Sequence, residues 1–168
     1  NACVKTGVKA SEYAAPFDTV SCCFSKGLGC PAGSAVVGDK ASIDRVHRFR
    51  KMFGGTMRQS GVLAAAALYA LDHHVDGLAH DHANAATLAK GLASIAGLKV
   101  NLADVETNMV FFDLAPDVPM NEAQFCERLR AKNVLMMGTG PRRIRAVCHR
   151  DVSSDQIAEA IQCVRAIM

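Results

Sequence analysis

Lys26 sits between a short apolar run, Asp18 to Ser25, and a turn that holds Gly27, Gly29, Pro31 and Gly33. Three glycines and a proline exclude regular structure from that turn, whereas the run before it is rich in β-formers and reads as a buried strand. A lysine at the end of a buried strand is expected to be partly desolvated. Desolvation disfavours an ammonium ion, and the neutral amine is the form that condenses with an aldehyde to a Schiff base. Neighbouring glycines would let a flat ligand approach the backbone. On chemistry alone, a solvated loop lysine accounts for the same residues. The turn has neither GxxxxGK[ST] nor GxGxxG spacing and its lysine precedes the glycines, so nucleotide binding is a weak reading.

Other side chains are candidates of a second rank. Arg142, Arg143 and Arg145 lie in or beside a short β-forming run, and an arginine fork suits a carboxylate. Arg48, Arg50 and Lys51 read equally well as the solvated face of a helix, and Arg58 as the start of another. His73, His74, His80 and His82 cluster in sequence, but no two of them have the i, i+4 spacing that aligns two imidazoles. A wet helix junction is expected there, and His149 is assigned no role. The seven cysteines form no CxxC pair and no regular spacing. An odd, unpatterned set points to reduced thiols in a cytoplasmic protein, most of them small buried hydrophobes, and to no metal site.

The elements that must position these residues follow from periodicity. Residues 18–25 and 34–38 read as two strands, and the short connection allows them to be antiparallel neighbours. Ile43, Val46, Phe49, Met52 and Phe53 recur at helical spacing over 40–53, and Gly54-Gly55 stops that helix. A second helix, 58–75, is apolar nearly all round and is expected to be buried. A third covers 78–95 and ends at Gly97. Strands are expected at 100–102, 108–114, 134–137 and 144–147, alternating with helices at 121–132 and 153–167 capped by Asn121 and Ser153. The expected division is residues 1–76 as part of a larger α/β domain and 77–168 as a small α+β domain.

Composition narrows the partners. Half of the 168 residues are hydrophobic and 21% are charged, with a net charge of +3, which describes a globular chain. The charge is too mild, and the aromatics at 5% too few, for nucleic acid. No apolar run approaches the roughly 20 residues of a membrane span. A small molecule or a second copy of the chain is the expected partner.

Four blocks in order carry a resemblance. Ser25-Lys26-Gly27-Leu28-Gly29-Cys30-Pro31-Ala32-Gly33-Ser34 is similar to the cofactor-lysine segment of low-specificity threonine aldolases, enzymes dependent on pyridoxal 5'-phosphate (PLP). Arg48 to Gly61, Thr107-Asn108-Met109-Val110-Phe111 and Arg143 to His149 resemble that family's later blocks, so the likeness covers essentially the whole chain. It implies an α/β fold of the aspartate aminotransferase type: the end of a PLP-binding large domain, then a small α+β domain. It implies that Lys26 holds PLP, Arg145 grips the substrate carboxylate, Arg58 lies near the cofactor phosphate and Lys51 lies near the site. The implied reaction is retro-aldol cleavage of threonine or allo-threonine in a homo-oligomer, a dimer or tetramer. Members are about twice this length, and their first half supplies the acid for the ring nitrogen and most of the phosphate cup. The chain alone is therefore expected to be inactive, and no residue in it presents itself as the base for the β-hydroxyl. A serine hydroxymethyltransferase-like or β-eliminating enzyme, or a non-catalytic oligomerisation module, would retain much of the same sequence.

Overall fold

The structure is a computed structural model that describes residues 1–168. Residues 2–77 and 78–168 form two compact units, each described by itself.

The first unit begins with two helices of one turn, α1 (Ala2–Thr6) and α2 (Ala10–Ala14), which the sequence pattern did not signal. Strands β1 (Thr19–Cys23) and β2 (Ser34–Gly38) then pair antiparallel, with Thr19 opposite Gly38 and Cys23 opposite Ser34. Helix α3 (Lys40–Met52) starts at Asp39, whose carboxylate accepts the Ser42 N–H at 2.7 Å. It ends as expected at Gly54, with φ of +77°. The Gly55 N–H reaches Arg50 O at 2.8 Å and the Gly54 N–H reaches Lys51 O at 3.2 Å, the two bonds of a left-handed C-terminal cap. Helix α4 (Gly61–His73) follows.

Burial in this unit departs from the sequence pattern. The run ending at Ser25 is not a buried strand: Thr19, Ser21 and Cys22 of β1 are exposed. Nor is α4 buried all round, because only Ala67 and Ala70 are, and Val62 and Leu68 remain 67% and 64% exposed. The physical reason is that the unit contains just two strands and small helical residues, so nothing in it covers the outer faces. Its core is Cys30, Ala67 and Ala70, with Phe24 and Leu28 packed on them.

The second unit contains α5 (Leu78–Ala93), β3 (Leu98–Lys99), a 3₁₀ turn (Leu102–Asp104), β4 (Met109–Leu114), α6 (Glu122–Arg130), β5 (Met137–Gly140), β6 (Arg143–Val147) and α7 (Ser154–Ile167). The strands form an antiparallel sheet in the order β3-β4-β6-β5. Alternation does the sorting. Val110, Phe112 and Leu114 of β4, with Ile144 and Ala146 of β6, are buried in one core with Leu88 and Leu92 of α5, Phe125 and Leu129 of α6, and Ile157 and Val164 of α7. Both expected caps are present as reciprocal pairs, Asn121 with Gln124 and Ser153 with Gln156.

Two strands lie away from their expected places. The run from Val134 leaves α6 rather than starting β5: Asn133 takes φ of +60°, and the Val134 N–H bonds Leu129 O at 3.0 Å. Pairing begins only at Met137. Similarly, Asn101 accepts the Ala103 N–H at 3.2 Å and winds residues 102–104 into the 3₁₀ turn, which leaves β3 at 98–99. The cysteines also differ from expectation. All seven are free, but just Cys30 and Cys148 are buried.

Candidate functional site

The Lys26 loop is a main-chain structure with a free side chain. At its ends the Phe24 N–H bonds Gly33 O and the Cys30 N–H bonds Phe24 O, both at 3.0 Å. At its apex the Gly29 N–H returns to Lys26 O at 2.8 Å, and Gly29 takes φ of +71°. Helix α4 holds the loop from beneath: His74 Nδ1 meets Leu28 O at 2.7 Å, and the Cys30 thiol donates to Ala66 O at 3.5 Å. His74 thus belongs to the loop's support, contrary to the wet junction expected of it. The residue that could have shown this, Leu28, lies 46 positions away, beyond the reach of sequence spacing.

Lys26 itself projects from this fixed loop and is exposed. No carboxylate pairs with it. The expected desolvation is therefore not found within residues 2–77, for the same reason that β1 is exposed. A cleft of about 600 Å³ is lined by Phe24, Gly33, Arg50, Leu63, Leu68 and Leu71 among others. Its walls are mostly apolar, and Lys26 does not line it.

Arg58 and Lys51 are also exposed in this unit. Arg58 lies in the turn just before α4, and Ser60 at the head of that helix makes no side-chain cap bond. The first N–H groups of α4 are left for other acceptors, with a guanidinium beside them in sequence. Lys51 ends α3 beside Arg50, where a cation suits the helix terminus on its own.

In the second unit the structure separates three arginines that the sequence left in competition. Arg142 is a structural clamp: its Nε donates to Leu114 O at 3.0 Å, and its Nη2 donates to Val118 O at 3.0 Å and to Ala115 O. Arg143 lies over the Phe111 ring, 5.4 Å from its centroid. The Arg145 side chain makes neither a carbonyl clamp nor a ring contact. It occupies the middle of a cross-strand row, opposite Phe111 on β4 and Met137 on β5, and its Nε is buried without a partner. A buried guanidinium N–H without an acceptor is costly, and a ligand carboxylate on this sheet face would supply one.

Behind that sheet lies a polar contact that the sequence did not disclose. Asn84 of α5 donates to Val152 O at 3.0 Å and accepts from the Ser154 hydroxyl at 3.0 Å. One turn earlier, Asp81 is 1% exposed, and neither of its carboxylate oxygens has a partner. Burial pushes the Asp81 carboxyl upward, partly offset by His149, His80, His82 and Arg150. The neighbouring Cys148 thiol is pushed up to about 11, by burial first and by Asp81 second.

The chain is similar to known proteins. The profile of the Beta-eliminating lyase family matches residues 1–115. The chain is 38% identical to low-specificity L-threonine aldolase 1 of Arabidopsis thaliana, over all of its own length and 47% of that protein. It is 43% identical to the low specificity L-threonine aldolase of Escherichia coli K12, over all of its length and 48% of that protein. A putative L-allo-threonine aldolase from Listeria monocytogenes superposes with a TM-score of 0.76 at 17% identity, covering 99% of this chain and 49% of that one. The chain spans about half the length of the curated relatives it matches. The shared fold is that of PLP-dependent enzymes. The chain belongs to the Beta-eliminating lyase family and matches threonine aldolases over the whole of its own length.

Proposed function

We propose that the protein containing this chain performs PLP-dependent retro-aldol cleavage of threonine or allo-threonine, giving glycine and acetaldehyde. The observation that carries the reading within this chain is the partnerless, buried Nε of Arg145, set between Phe111 and Met137. Such a donor suits the α-carboxylate of an amino acid.

The cofactor fits the residues present. Lys26 offers an uncommitted primary amine on a fixed glycine-rich loop, and Arg58 with the uncapped head of α4 offers donors to a phosphate. When bound, PLP supplies the electron sink for the carbon–carbon bond that breaks. Lys26 would hold that group through its side-chain amine. Arg145 fixes the carboxylate and so sets which bond at the α-carbon is aligned for cleavage. Lys51 is assigned to the edge of the site on the resemblance alone.

Residues 1–76 are read as part of the PLP-binding large domain and 77–168 as the small domain. The exposed apolar side chains of the first unit, Phe53 at 83% among them, support its burial against further protein, both in a longer chain and in a homo-oligomer. The chain by itself is therefore expected to be inactive. No helix is long and apolar enough to cross a membrane, and seven free cysteines accord with a reducing compartment such as the cytoplasm.

The test is to reduce the full-length protein with borohydride, map the adduct and analyse the products formed from threonine. A phosphopyridoxyl group on Lys26, absent in Lys26→Ala, together with glycine and acetaldehyde, is expected. 2-Oxobutanoate and ammonia as the products from threonine would overturn the proposal in favour of β-elimination.

A further inference from the structure

Arg142 holds a backbone conformation that its side chain does not favour. Its φ is +59°, in the left-handed region where a residue with a Cβ is strained. Two sets of bonds compensate. Its own N–H donates to Glu122 Oε2 at 2.8 Å, and its guanidinium is spread over the carbonyls of Leu114, Ala115 and Val118. The Leu114 N–H in turn bonds Arg142 O at 2.9 Å. The turn between β5 and β6 is thereby tied at once to the end of β4 and to the first residue of α6.

Glu122 reaches the turn across β5 at Gly138. A Cβ there would lie 2.9 Å from Glu122 Cγ, so a side chain at 138 would push the carboxylate aside. The register slips between Gly138 and Gly140, so the β5 ladder alone fixes β6 poorly at this point. The hydrogen bond from the Arg142 N–H also holds the Glu122 carboxyl below its ordinary range. Arg145 lies three residues beyond this clamp, on the strand that the clamp anchors.

We propose that Arg142 and Glu122 are positioning residues for Arg145: their clamp sets the height and register of β6, and with them the place where the free guanidinium meets a substrate carboxylate. This rests on the reading of Arg145 as the carboxylate grip. It adds a pair that never touches the substrate and controls how well the carboxylate is held. Arg142 is chosen because its N–H and its guanidinium each hydrogen-bond a different element, whereas the Arg143 side chain makes only the ring contact with Phe111.

The experiment uses the full-length holoenzyme and two probes that differ by one group, glycine and methylamine, followed by the cofactor's absorbance change on binding. Arg142→Gly keeps the turn, because glycine accepts a positive φ, and removes the side chain with its guanidinium. Glu122→Ala removes the other half of the clamp. Each variant is expected to weaken glycine binding at least fivefold while leaving methylamine binding within twofold of wild type. An unchanged ratio of the two affinities would overturn the proposal. So would an equal loss for both probes, the mark of general damage. Should Arg142→Gly fail to fold, Glu122→Ala is read by the same criterion. Arg145→Lys separates the underlying reading: if it leaves the glycine-to-methylamine ratio intact, the carboxylate grip itself is wrong. If it lowers that ratio and the clamp variants do not, only the positioning role fails.

Discussion

At 1% exposure Asp81 is the most deeply buried acidic side chain of the molecule, and both of its oxygens lack partners. An ionised carboxylate in that position is unfavourable, so folding raises its proton affinity above that of the open chain. The sign follows from linkage. A group with a raised folded pKa contributes stability below its unfolded pKa of about 3.9, and that contribution is lost as pH rises through the folded value. Over the range above about pH 4 the wild type should therefore lose stability that Asp81→Asn retains. Melting both proteins across that range should show the variant gaining on the wild type as pH rises. A gap that stays flat or narrows would mean that Asp81 is ionised and matched by His149 or Arg150. Arg145 lends itself to a second measurement at this scale. Lysine keeps its charge but loses the planar fork, so Arg145→Lys in the full-length enzyme should raise KM for threonine about tenfold, equivalent to about 1.4 kcal/mol. A KM within twofold of wild type would remove Arg145 from the carboxylate.

Among the elements, α5 and α7 approach most closely at Gly91. A methyl group there would lie 2.7 Å from Ile161 Cγ1, a branch atom near the root of its side chain. Alanine would gain about 1 kcal/mol in helix propensity over glycine, but overpacking a filled contact costs about 1–3 kcal/mol. The second effect should win, so Gly91→Ala is expected to destabilise by about 1 kcal/mol in chemical denaturation, and Gly91→Val by more. A more stable alanine variant would show that the helices part freely. The sequence announced both helices, because α7 carries a capping box and α5 a long apolar period. It could not announce the gap between them, which depends on residues 70 positions apart. The same limit governs the sites. The glycine turn and the β1–β2 pairing were legible because the signals are local. His74 under Leu28, the unpartnered Asp81 and the division of labour among Arg142, Arg143 and Arg145 were not, since each depends on a partner from another element. The displaced β5 has a different cause. Val134 to Met136 looks like a strand by composition, but Asn133 in the left-handed region spends those residues on leaving α6.

For the whole molecule the decisive quantity is how much apolar surface each unit buries on its own. Residues 78–168 bury Val110, Phe112, Leu114, Phe125, Leu129, Ile144, Ile157 and Val164 in one continuous core. At about 1.5–3 kcal/mol per fully buried large side chain, that core is of the size a small domain needs. Residues 2–77 bury only Cys30, Ala67 and Ala70, two of them alanines that bring little surface. Their two strands form an isolated hairpin, which is marginal in water without further cover. Met52, Phe53, Val62 and Leu68 meanwhile stand exposed. Expressed separately, residues 78–168 should melt in a single sigmoidal transition with matching near- and far-ultraviolet signals. Residues 1–77 should show neither a cooperative transition nor dispersed amide resonances. A cooperative melt from the smaller piece would mean that α3, α4 and the β-hairpin need no covering layer, and would remove the argument that this unit is part of a larger domain. An uncooperative 78–168 would show that its continuous core depends on the rest of the protein.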